Sequence, residues 1–241
     1  MQQNFEAIVL RQIKYSDKSN IVTLYTQEMG RISALIPAQS NRKAKVSRNL
    51  FQPLVILDLV YTQRTSTGIG RIVEAKLHYP AISIMANPLK MSLVLFLGEF
   101  LYGMLQEESA SRSLFLFLKN SIKWLDTSEN SVANFHLAFL LRLMHFVGIQ
   151  PNLEEYVPSS YFDLRDGTFV PVRPLHQQVL YGDDLQKLVN VLRMTYSNMY
   201  LYKMSRSQRM SLLQLILDYY QVHYPSLKEL HSLKIMQDLF D

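Results

Sequence analysis

The feature that most constrains the fold is a change of texture at Pro80. Before it, five β-prone runs, "AIVLRQI", "NIVTLYT", "RISALI", "LVILDLVYTQ" and "IGRIVEAKL", are separated by stretches of turn-forming residues. Glu28-Met29-Gly30 predicts a tight turn that makes the second and third runs a hairpin. Five short strands with one long connection between the third and fourth fit a small closed barrel of the OB type. Another small barrel, such as an SH3-like one, fits the alternation nearly as well.

After Pro80 apolar residues recur at helical spacing. Asn87-Pro88 predicts a helix start, because proline at the first helical position loses only an N–H that has no partner there. Leu114, Phe117, Leu118, Ile122 and Leu125 form a second stripe. Ser131 predicts the cap of a third helix running to Gly148, apolar on almost every side and therefore central. Residues 205–223 read as helical, and Ser226–Glu229 has capping-box spacing for a last helix. The segment "YVPSSYFDLRDGTFVPVRP" interrupts this texture with an Asp166-Gly167 turn between β-prone runs, a hairpin signature. The expectation is an α+β chain: a five-stranded OB-type barrel over 1–80, then a mainly helical domain over 81–241 with a hairpin excursion near 156–172.

Nearly half of the 241 residues are apolar, which suits a sizeable core, and there is no cysteine. That excludes disulfides, thiolate metal sites and cysteine nucleophiles together. The start of the sequence lacks a basic stretch followed by a long apolar run, and Glu99 and Arg142 interrupt the longest apolar stretches. The reading is a soluble intracellular protein with no membrane contact.

The charge is unevenly shared. Residues 1–80 hold eleven basic and five acidic side chains, a net of +6, and the remaining 161 a net of −1. No acid lies between Glu28 and Asp58, whereas Arg31, Arg42, Lys43, Lys45 and Arg48 all do. Such asymmetry points to a polyanion partner for the first third. Lys and Arg on a loop neutralise phosphates without sequence preference, so those five, with Arg64 and Arg71, are the candidate phosphate ligands. Phe5, Tyr15, Tyr25, Phe51 and Tyr61 are aromatics that could stack on bases, although most are expected in the core. "GIG" at 68–70 lacks the third glycine and the helix of a dinucleotide fingerprint and reads as a strand entry. His136 and His145 read as packed side chains. Arg142, alone in an apolar helix, must reach a carboxylate or the surface; an internal acid is the first expectation and a partner's acidic tail the second. No nucleotide-binding loop, metalloprotease motif or nucleophile elbow is present. A binding protein is expected, with no enzyme activity, cofactor or small-molecule substrate.

The stretch from "EAIVLRQI" through "TQEMGR" and the basic loop to "LFQPLVILDLVY" resembles the N-terminal domain of the RecO family, bacterial recombination mediators. "GIGRIVEAKL" is similar to the family's next strand, and "VGIQPNL" and "PSLKELHSLKIMQDLF" more loosely resemble its C-terminal domain. The resemblance implies binding to single- and double-stranded DNA, annealing of complementary strands, and loading of recombinase with RecR onto DNA coated by single-strand-binding protein, whose acidic tail is a partner. It also implies a cytoplasmic, nucleoid-associated bacterial protein. An OB-fold RNA-binding protein or a non-catalytic adaptor would carry the same charge footprint. Many members bind zinc through four cysteines after "VGIQPNL"; here Tyr156, Ser159 and Ser160 stand near the first pair, so no metal is carried over, and the hairpin is expected to hold by packing alone.

Overall fold

The computed structural model describes residues 2–38, 45–63, 69–106, 109–227 and 230–234. Five strands, β1 (Gln2–Lys14), β2 (Ser19–Thr26), β3 (Gly30–Pro37), β4 (Ile56–Thr62) and β5 (Gly70–Leu77), close into a barrel in the order β1-β2-β3-β5-β4. Among the described residues β3 and β5 are the only parallel pair. The chain is α+β with an OB-type barrel, as expected. Strand alternation builds the interior: Val22 and Leu24, Ala34 and Ile36, and Leu57, Leu59 and Tyr61 point inward from successive strands. A bulge between Val9 and Arg11 lets the long β1 pair with β4 through one half and with β2 through the other. Gly30, at φ 63°, makes the β2–β3 turn. Gly70 enters β5 under the Tyr61 ring, where a Cβ would sit 2.2 Å from ring atoms.

Three helices follow: α1 (Ile82–Ala86), α2 (Pro88–Met104) and α3 (Arg112–Thr127). Asn87 caps α2, accepting from the N–H groups of Leu89 and Lys90, with Pro88 first in the helix. By compactness, 2–127 with 230–234 form one unit and 128–227 a second. The barrel and these three helices thus pack together although the sequence pattern changes at Pro80. The outward residues Ile8 and Leu10 of β1 are buried, and Lys119 of α3 pairs with Glu6 of β1 at 2.5 Å. A second seam is the turn Gln52–Val55. Val55 N–H donates to Gln52 C=O at 3.2 Å, Leu54 N–H donates to Val9 C=O at 2.7 Å, and Val9 N–H donates back to Val55 C=O at 3.0 Å. Leu54 occupies the third position at φ 59°, where glycine is favoured. Pro53 rests on Gly98 of α2, where a Cβ would lie 2.8 Å from Pro53 Cβ.

Behind this seam, Asp126 at the end of α3 accepts from Tyr79 Oη and from Ile84 N–H, both at 2.9 Å, and its backbone C=O accepts from Lys90 Nζ. These bonds fix α1. The expected capping box of the last helix, Ser226–Glu229, lies partly outside the described residues. Just beyond it, the N–H groups of His231 (3.1 Å) and Ser232 (2.7 Å) donate to the carboxylate of Glu99 on α2.

The second unit is built on α4 (Phe135–Phe146), nine of whose twelve residues are buried. It starts after Asn134 rather than Ser131, and the Asn134 amide does not cap it but donates to the carbonyls of Met199 and Tyr202. Gly148, at φ 75°, ends it. The hairpin β6 (Tyr161–Asp163) and β7 (Thr168–Val170) appears as expected, joined by a short β8 (Val179–Leu180), with α5 (Gly182–Val191) and α6 (Arg206–His223) following. Ser205 and Gln208 form the capping box of α6. The hairpin does not hold by packing alone. Phe162 does pack against Phe169 and against Tyr219 in tilted ring contacts. But the Asp163 carboxylate also accepts from Arg165 N–H at 2.8 Å and meets His176 Nε2 at 3.0 Å. Burial opposes the charge of Asp163, and the Arg165 N–H and His176 bonds outweigh it, holding the carboxyl below its usual range.

Two measurements test this arrangement. Gly98→Ala gains helix propensity of about 1 kcal/mol, yet the clash with Pro53 should leave a net loss on the order of 1 kcal/mol, read as a lower urea midpoint; a raised midpoint would contradict the seam. Burial raises the Glu99 pKa, but the bonds from Ser232 and His231 more than offset it, so the net direction is below 4.5. A depressed carboxylate stabilises above its unfolded pKa and loses that contribution as pH falls through the folded value. The urea-midpoint gap between parent and Glu99→Gln should therefore be full at pH 7 and shrink progressively below about pH 4.5; a constant gap would exclude the linkage.

Candidate nucleic-acid interface

Apolar residues face outward on one side of the barrel. Strand register aligns Ile13 of β1 with Ile21 of β2, Ile21 with Leu35 of β3, and Leu35 with Arg71 of β5. These positions alternate with the inward Val22 and Ala34, so the row lies on the outer face. Ile13, Ile69, Val73 and, at the β1–β2 turn, Tyr15 are exposed. The neighbouring row is Arg11, Thr23 and Ser33. This is the strand 2–3 face through which OB barrels take oligonucleotides. The sequence reading missed it, although apolar residues at outward positions of β1 and β2 were a signal.

Of the candidate cations, Lys45, Arg48 and Arg71 are exposed. Arg42, Lys43 and Arg64 lie outside the described residues. Within the basic run Val46 is buried in the barrel core, as is Phe51 just beyond it, and Lys45 C=O accepts from Ala75 N–H of β5 at 3.0 Å. The run abuts an apolar stretch because its own apolar residues plug the barrel while Lys45 and Arg48 point out. Lys45 also feels Glu74, whose carboxyl is lowered first by hydrogen bonding to Lys76 and more weakly by the Lys45 charge.

Arg31 sits apart from this group. Its Nη1 donates to Tyr102 C=O at 2.7 Å and its guanidinium lies 4.6 Å from the Tyr102 ring, which Arg11 also approaches at 4.8 Å. Burial lowers the Arg31 pKa from its high ordinary value without neutralising it. Arg31 and Arg11 thus form a cation–π pair on α2. Phe5, Tyr25, Phe51 and Tyr61 are buried, leaving Tyr15 as the exposed aromatic of those named.

Among the described residues one group has metal-ligand chemistry: Glu6, Asp58 and His78. Glu6 and Asp58 stand directly opposite across β1 and β4, a repulsive pairing. His78 bridges them, Nδ1 to Asp58 at 3.0 Å and Nε2 to Glu6 at 3.4 Å, and Lys119 supplies a cation to Glu6. The side chains already satisfy one another. His136 is fully buried, and desolvation with the Arg209 charge pushes its pKa down to about 3, so it is neutral. His145 is exposed and meets Gln150 at 3.0 Å.

The expected internal partner of Arg142 is absent: Arg142 is exposed and has no ion pair among the described residues. It lines a cavity of about 260 Å³ with His145, Gln150, Arg193 and Thr195, and no carboxylate contributes to the lining. Of its two alternatives, the surface is the one taken, since α4 buries its other sides.

Among the described residues no helix is long and apolar enough to cross a membrane. Comparison with known families matches residues 1–81 to Recombination protein O N terminal and residues 85–233 to Recombination protein O C terminal. A DNA repair protein RecO of Bacteroides fragilis strain ATCC 25285 is 43% identical over 242 residues, and one of Phocaeicola vulgatus 41% identical over 240, with all of both chains covered in each case. A DNA repair protein RecO of Flavobacterium psychrophilum is 30% identical over 241 residues, again covering both chains in full.

Proposed function

The chain belongs to the RecO family of DNA repair proteins, and from that membership we propose that its barrel grips single- and double-stranded DNA as a non-catalytic mediator of recombinational repair. The observation that carries this reading is the outward row Ile13–Ile21–Leu35–Arg71 on the barrel, to which the segment before β4 adds the exposed Lys45 and Arg48. Cations neutralise phosphates and release counterions, while the aliphatic row and Tyr15 offer bases a surface to leave water. Neutralised strands repel one another less, which favours annealing of complements. Lys45, Arg48 and Arg71, with Arg42, Lys43 and Arg64, are the phosphate ligands in this reading; Arg31 acts by fixing the barrel edge to α2. RecR and single-strand-binding protein are the partners through which recombinase is loaded. The Arg142–Arg193 cavity suits the acidic tail of single-strand-binding protein, because two guanidinium groups can hold carboxylates with paired hydrogen bonds.

Two titrations test this. For a single strand, log affinity should fall with log salt by about 0.7 per phosphate contact. Replacing Arg42, Lys43 and Lys45 together by Ala should flatten the slope by about 2 and weaken binding to all sequences alike. An unchanged slope refutes the assignment, and tighter binding to RNA of equal length favours an RNA-binding protein. Second, Arg142→Ala should weaken a fluorescent acidic-tail peptide of single-strand-binding protein about tenfold or more, in line with loss of a charge-assisted bond of about 1.5–3 kcal/mol. Equal affinity of variant and parent removes the cavity from the partner surface.

A further inference from the structure

One cavity lies outside the face just described. It holds about 190 Å³ between the segment 49–56, the end of β5, α1 and α2, and its lining is overwhelmingly apolar, with Leu50, Leu54, Tyr79, Ile84 and Val94 among its walls. Both sides are braced. The Gln52–Val55 turn is tied to β1 by hydrogen bonds from Leu54 and to α2 by the Pro53–Gly98 contact. On the other side α1 is held by Asp126. The cavity is therefore pre-formed rather than a product of loose packing. Its volume is below the roughly 300–1,000 Å³ of sites for drug-sized ligands, the scale of one ring system.

The surroundings say what kind of ring. Asn49 and Gln52 line the cavity, are exposed, and make no side-chain hydrogen bond within the described residues. Two uncommitted amides at the edge of an apolar hole can satisfy the polar edge of a planar heterocycle while its faces leave water. Arg48 directly precedes Asn49, so a phosphate held there puts its own nucleotide within reach of the cavity. Lys123 lies 5.3 Å from the Tyr79 ring, adding a second cation near the same cavity. A single aliphatic side chain from a protein partner would fill the volume but would leave the amides idle.

We propose that this cavity takes one unstacked base of a single DNA strand, a pyrimidine by size, with Asn49 and Gln52 reading its polar edge and Arg48 on its phosphate. The inference rests on the DNA-binding reading above and adds a base contact distinct from the strand 2–3 face. Holding a base out of the stack would give single strands an advantage over duplex that phosphate contacts alone do not supply.

The test compares a fluorescein-labelled oligothymidylate with an abasic strand of equal length and charge, across a salt series, for the full chain and for Ala81→Phe. Ala81 lines the cavity and is partly exposed, so a phenyl group there occupies the space. Met91→Phe, from α2, repeats the block should Ala81→Phe unfold. The parent should prefer the thymidine strand by about 5- to 150-fold, the equivalent of the roughly 1–3 kcal/mol of a stacked base. The blocked variant should lose most of that preference and keep the parent's salt slope. A parent with no preference overturns the base site while a steep salt slope leaves the DNA-binding reading standing. A blocked variant that retains the full preference also overturns it, assigning base contact to the strand 2–3 face and the cavity to a partner's apolar side chain. Absence of salt-dependent binding to either strand removes both readings.

Discussion

The contact of Pro53 with Gly98 is the constraint on which the first unit depends. A barrel of this size has little interior, and its outward β1 residues Ile8 and Leu10 need cover. The cover is α2, and it reaches the barrel because position 98 has no side chain. Everything near the seam follows. Leu54 is held at φ 59° by hydrogen bonds on both sides of the turn, a conformation that persists only where its surroundings over-determine it. The same turn sets the direction in which β4 begins, and with it where Arg48 and Asn49 emerge. A glycine that costs helix stability on its own is what lets a barrel and a helical cap share one core.

The barrel was legible because strand alternation and turn residues are local. Val22, Leu24, Ala34 and Ile36 announce an inward face, and Gly30 a turn, without knowledge of what packs against them. α2 was legible for the same reason: Asn87 and Pro88 cap it from its own sequence. What was not legible depends on partners far along the chain. Arg31 looked like one more loop cation, yet its guanidinium is engaged with Tyr102, 71 positions away. Ser131 looked like a cap, yet α4 begins at Phe135, after Asn134, whose amide serves carbonyls 65 and 68 positions on. Arg142 was assigned to its surface or an acid by elimination; only the burial of its helix on the other sides decides between them. The outward aliphatic row was visible in principle, but pairing β3 with β5 in parallel, which completes it with Arg71, is a tertiary fact.

The hairpin in the second unit shows how one buried carboxylate can organise a tight turn. Asp163 gathers two turn amides and a histidine with one carboxylate. Aromatic rings close the other side, and Gly167 is required where its Cβ would meet Tyr219 Oη at 2.6 Å. A carboxylate that gathers three hydrogen-bond donors fixes a turn through charge-assisted bonds to its own backbone and to a neighbouring ring.

The bond between Glu99 and His231 spans 132 positions, and residues 230–234 belong to the same unit as the barrel. The first unit is therefore discontinuous in sequence, with the second inserted into it. During synthesis the barrel and the first three helices are complete in sequence long before the segment that Glu99 caps has been made. At about 5–20 residues per second, that interval is on the order of ten seconds. The nascent first unit passes it with the Glu99 carboxylate hydrated instead of bonded to the N–H groups of His231 and Ser232, and the second unit has its whole sequence before the first is finished.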